Sequence, residues 1–67
     1  MIVQLKKVKF VFHFNDGSTK ELIKDLPEGD GLIEWIAQQY ADVNSCGIEV
    51  FIDGKSVVVV TSPSSTI

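Results

Sequence analysis

Residues 55 to 60 read Lys-Ser-Val-Val-Val-Val. Neighbouring side chains of a β-strand point to opposite faces, so four consecutive valines put apolar surface on both sides of any sheet they enter. A chain of 67 residues can hardly own two cores, because a domain near this size buries only about 60% of the surface its unfolded chain exposes. Either something outside the domain covers the second face, or that face stays open.

The rest of the chain says which elements surround the valines. Val8, Phe10, Phe12 and Phe14 alternate with Lys7, Lys9, Val11 and His13, a strict period of two that specifies a strand with one apolar face. Val3 and Leu5 fall on the opposite phase, so a strand continuous from residue 2 needs a break near Lys6-Lys7; otherwise the first residues lie outside it. Asn15-Asp16-Gly17-Ser18 is turn chemistry. Ser18 to Leu26 reads two ways. Ser18 with Glu21 matches a helix capping box, whereas a tight turn after a strong strand favours a returning antiparallel strand; strand is the favoured reading. Pro27-Glu28-Gly29 breaks the pattern, and Asp30 offers an N-cap. Leu32, Ile33, Ile36, Ala37 and Tyr40 then recur at helical spacing, which predicts a helix over about 30–42 that Asn44 or Gly47 ends. Ile48, Val50 and Ile52 alternate again, Asp53-Gly54 signals a two-residue hairpin, and the valines run back. Residues 1–61 are expected to form one domain and 62–67 a flexible tail.

Composition narrows the class. A hydrophobic fraction of 45% rules out a disordered chain, and no apolar run approaches the roughly 18 residues of a membrane span. Met1-Ile2-Val3-Gln4-Leu5 followed by lysines is the reverse of a signal peptide's order. A single cysteine, Cys46, excludes an internal disulfide and suits a reducing compartment. A cytoplasmic location is therefore expected. Net charge is −3, there is no arginine, and Asp25 to Asp53 holds seven acids and no lysine. Binding to a phosphate backbone, which relies on clustered Lys and Arg, is disfavoured.

Hairpin, helix, hairpin is an α+β, ββαββ order. Over residues 6 to 60 it resembles the β-grasp architecture of ubiquitin-like proteins and the immunoglobulin-binding domains of protein G, and Gln39-Tyr40-Ala41-Asp42 with Asn44 behind is similar to the end of the protein G helix. The resemblance implies one helix on a four-stranded mixed sheet with strands 1 and 4 central and parallel. The chain ends Pro63-Ser64-Ser65-Thr66-Ile67, without the terminal Gly-Gly by which some β-grasp proteins carry sulfur or modify other proteins, so neither role is expected.

With Asp53-Gly54 as the turn, Ile52, Val50 and Ile48 pair with Lys55, Val57 and Val59 and meet the helix. The reverse face then receives Val11, Phe51, Val58 and Val60, with His13 at its rim. Such a group presents a few hundred Å² of apolar surface, near the upper end of what a monomer leaves open. The first expectation is therefore a non-enzymatic protein-interaction module, associating through this face with itself as a homodimer or with a larger partner. The alternative is a small acidic inhibitor or decoy of phage or mobile-element type, whose Glu28, Asp30, Glu34 and Asp42 engage a basic protein. A third reading, a nucleic-acid-binding sheet platform, rests on Lys7, Lys9, His13 and the strand aromatics; the phenylalanines are, however, needed for the core.

Little in the sequence points to catalysis, cofactors or metals. His13 is the only histidine and has no acid beside it, and Cys46 follows a helix C-terminus, the wrong end for lowering a thiol pKa. Asp42-Val43-Asn44-Ser45-Cys46-Gly47 starts like a calcium loop but lacks the acidic fifth position and the terminal Glu; a helix-ending turn explains it. Glu28-Gly29-Asp30-Gly31 opens a helix as a phosphate loop does, yet its acids repel phosphate. Trp35 lies at the margin of the helix's apolar face, where it either completes the core or projects as an interface anchor.

Overall fold

The alternating run forms β1 (Leu5–His13), which pairs along its whole length with β2 (Thr19–Pro27) in one unbroken antiparallel register. The computed structural model describes residues 4–62. Both strong hairpin signals are realised. At Phe14–Ser18 the Asp16 carboxylate accepts hydrogen bonds from the Ser18 amide (2.9 Å) and hydroxyl (2.6 Å). At Asp53-Gly54 both residues have positive φ, 52° and 83°, as a type I′ turn between right-twisted strands demands.

The helix α1 spans Leu32–Asn44, two residues later than the apolar spacing alone suggests. Asp30 is not its cap. Gly29, Asp30 and Gly31 all take positive φ, and Gly31 occupies the cap position without a side chain to offer; the chain must reverse sharply after β2, and this glycine-flanked run makes that turn. At the other end Ser45 is left-handed, and the Cys46 amide donates back to the Ala41 carbonyl at 3.1 Å, a Schellman closure. Ile33, Ala37 and Ala41 form the buried line of α1. They meet Val8, Phe10 and Phe12 of β1 and Ile48 and Val50 of β3 (Gly47–Ile52), with Cys46 sealed in the same core. Phe10, Val8, Ile48 and Val50 are wholly enclosed, and burying each such side chain contributes about 1.5–3 kcal/mol.

The sheet order is β2-β1-β3-β4, with β4 (Lys55–Thr61) at the edge and every pairing antiparallel. The expected parallel, central placement of strands 1 and 4 is overturned, and with it the strand order of the β-grasp resemblance. Either strand of the second hairpin can lie beside β1. The structure gives the inner place to β3, whose Ile48 and Val50 then disappear completely, and leaves at the edge the strand whose valines can tolerate water. Antiparallel pairing is also the slightly more stable geometry per residue.

The valine run holds a second correction. Val50 pairs with Val58 and Phe51 with Ser56, so Val57 is an extra residue in a β-bulge. The bulge slips the phase of β4 by one. Val58 and Val60, expected on the open face, pack against the helix-side core, whereas Val57 and Val59 are the exposed pair, at 53% and 62%. Four identical residues are equally apolar in either phase, so the alternation rule cannot choose between them; the bulge also twists an otherwise smooth edge strand. Ser62, expected to begin a flexible tail, is buried; the rest of that expectation, residues 63–67, falls outside the described residues.

Candidate protein-interaction surfaces

Two apolar surfaces remain open, one on each side of the sheet. On the side away from α1, Lys9 stands opposite Ile23 and Phe51, and Val11 opposite Glu21 and Glu49. This face pairs with itself. The Lys9 ammonium lies over the Phe51 ring, 5.0 Å from its centre. Glu49 receives the Ser56 hydroxyl at 2.9 Å and faces the His13 imidazole at 3.5 Å. Serine, histidine and carboxylate thus meet in space, but in the wrong order for hydrolysis. Both groups address the carboxylate, and the hydroxyl-to-imidazole contact that activates a nucleophile is not made.

Of the residues expected to form an interface here, Val11, Phe51 and His13 lie on this face, whereas Val58 and Val60 have turned inward. Ile23 and Val59, which the sequence reading did not select, are exposed instead. Ile23 could have been found: once Ser18–Leu26 is a strand opposite β1, its odd positions share the lysine face. Phe10 and Phe12 are buried under the helix, so the face offers one aromatic, Phe51, where a base-stacking platform needs several.

The helix side is different. Trp35 is 61% exposed and Val43 81%, with Leu32 half open between the loop and the first turn. Positions 32, 35, 39 and 43 follow one another along the helix, so these residues form a crest interrupted only by Gln39. Trp35 therefore projects; it does not complete the core. Beneath it, a crevice of about 490 Å³ is bounded by Pro27, Gly29, Asp30, Leu32 and Trp35. Glu28, Asp30, Glu34 and Asp42 are all exposed around the helix, and Asp42 accepts a hydrogen bond from Gln38 at 3.1 Å.

Other chemistry is sparse among the described residues. Cys46 is fully enclosed, and burial pushes its thiol pKa up, the opposite of what a reactive cysteine needs. No group of three or more His, Cys, Asp or Glu side chains is placed to hold a metal.

No protein-family model and no curated protein sequence matches the chain. Among solved structures it is similar to Dmd from phage RB69, with 29% identity, a TM-score of 0.80, and 87% of this chain and 94% of that chain covered. It is also similar to the Dmd chain of the complex between Escherichia coli toxin LsoA and the T4 phage antitoxin Dmd, at 33% identity and a TM-score of 0.65, with 82% and 93% covered. The chain belongs to the Dmd family. The Dmd neighbours supply what composition could not: a protein partner for at least one member, the T4 antitoxin captured on its toxin. Of the roles considered for the sequence, the phage-type inhibitor fits this family better than a self-associating module.

Proposed function

We propose that this protein is a phage-type antitoxin that neutralises a toxin by binding it through the helix side of the fold. The observation that carries the reading is the similarity, over most of both chains, to a Dmd bound to toxin LsoA. The geometry supports it independently. A protein that inhibits by occupation needs a rigid surface with an aromatic anchor, and Trp35 stands on a helix whose opposite line is locked into the core. The outer sheet face, where Lys9 already covers Phe51 and His13 and Ser56 already engage Glu49, is the weaker candidate, and the inward turn of Val58 and Val60 removes two contacts from a back-to-back homodimer.

The test is co-expression with LsoA in Escherichia coli. The proposal expects restored growth and a complex that survives purification. Continued growth arrest with both proteins soluble and separate contradicts it.

A further inference from the structure

The helix is not centred on the sheet. It packs chiefly over β3 and β4 and scarcely reaches β2. Lys20, Leu22 and Lys24 of β2 stand directly opposite Phe12, Phe10 and Val8, and opposite residues of an antiparallel pair share a face. Those three β1 residues lie under α1, so the β2 row points the same way, with Leu26 next in line, and has little above it. Leu22 and Leu26 are half-buried against the core. Lys20 and Lys24 are exposed, and neither has an ion-pair partner among the described residues.

The facing bank comes from α1. Tyr40 packs its ring against Phe10 and Phe12, and Leu32 and Trp35 share the crevice with Pro27 at the end of β2. Gln38 reaches the other way, to the Thr61 carbonyl of β4 at 3.0 Å. Helical spacing then sends Leu32, Ile36, Tyr40 and Val43 toward β2. The result is a trough with an apolar floor, Val43 on one bank and two uncompensated ammonium groups on the other. From Lys20 to Leu26 it is about 20 Å long, the rise of roughly 13 helical residues.

We infer that this trough receives an acidic amphipathic segment of the toxin, its apolar side on Leu22, Leu26 and Ile36 and its carboxylates on Lys20 and Lys24. The inference rests on the toxin-binding reading and names the partner's docking chemistry. Charge complementarity selects the sign. A basic segment in the trough would face both lysines, whereas an acidic one meets them; Glu34 and Asp42 lie on the other flank of the helix, and Glu28 and Asp30 line the crevice beyond the Pro27 end.

The experiment measures binding of the full chain to purified LsoA at two salt concentrations, with the folded state followed by circular dichroism. Lys20→Glu with Lys24→Glu is expected to weaken the complex about tenfold and flatten its salt dependence, mainly through a slower association rate. Lys20→Arg with Lys24→Arg retains affinity. Val43→Asp weakens binding at least tenfold, and Val59→Asp on the far side of the sheet leaves it within about twofold. A wild-type complex indifferent to both the lysine reversal and Val43→Asp overturns the trough while leaving the antitoxin reading intact. Absence of any wild-type complex overturns both.

Discussion

Both sides of this sheet leave apolar side chains open, and they differ in how the polar groups beside those side chains are engaged. On the outer face Lys9 covers Phe51, and His13 and Ser56 converge on Glu49. On the helix side Trp35 and Val43 stand clear of the fold, and Lys20 and Lys24 have no ion-pair partner among the described residues. Exposure alone therefore does not distinguish a docking surface from a tolerated patch; the difference lies in whether the polar groups beside it already have partners. Exposed polar contacts of the outer-face kind contribute little to stability, but an approaching protein must displace them.

The largest effect comes from removing what both sides share. Phe10→Ala empties the centre of the core and should cost about 3–5 kcal/mol, a large part of the total stability of so small a domain. Denaturant melting reads it directly, and the Cys46 thiol should become accessible to a disulfide reagent at native conditions. Next, Trp35→Ala separates binding from folding. It is expected to cut toxin affinity about a hundredfold, the scale of an aromatic hot spot, while shifting unfolding free energy by less than about 0.5 kcal/mol. A comparable loss from Phe51→Ala, with Trp35→Ala silent, would transfer the site to the outer face. Val59→Asp should sit within about 0.5 kcal/mol of wild type in stability.

The smallest effect concerns the first hairpin. The hydroxyl of Ser18, then its amide, hold the Asp16 carboxyl below its ordinary pKa. A depressed carboxyl contributes stability that is present above the unfolded-state pKa and is lost as pH falls through the folded-state value. Asp16→Asn should therefore lower stability slightly near neutrality, where the carboxylate's contribution is present, and flatten the loss in that acid range, so that the two melting profiles converge as pH falls.

What could be read in advance follows from which patterns are degenerate. The run Val8 to Phe14 has one apolar phase and one charged phase, so β1 and the face it turns to the helix were legible residue by residue. Both turns were legible because Gly17 and Gly54 sit where positive φ is needed. The valine run has no phase to read, and the bulge at Val57 reversed the faces assigned to Val58 and Val60. Strand order was also beyond local pattern, since β3 and β4 each satisfy the alternation and only the burial of Ile48 and Val50 decides between them. The acidic residues that the sequence offers as an alternative site are exposed around the helix, whereas Lys20 and Lys24 carry no local signal. Their importance depends on where α1 sits laterally across the sheet, which no spacing in the sequence encodes.

The most direct test of the helix-side assignment is a backbone amide footprint of the isotopically labelled chain in complex with LsoA, taken by NMR or hydrogen exchange. The account predicts changes along 20–26 of β2 and 32–43 of α1, with Lys9, Phe51 and Val59 unmoved. Changes confined to those three positions and their neighbours, with the helix silent, would contradict it.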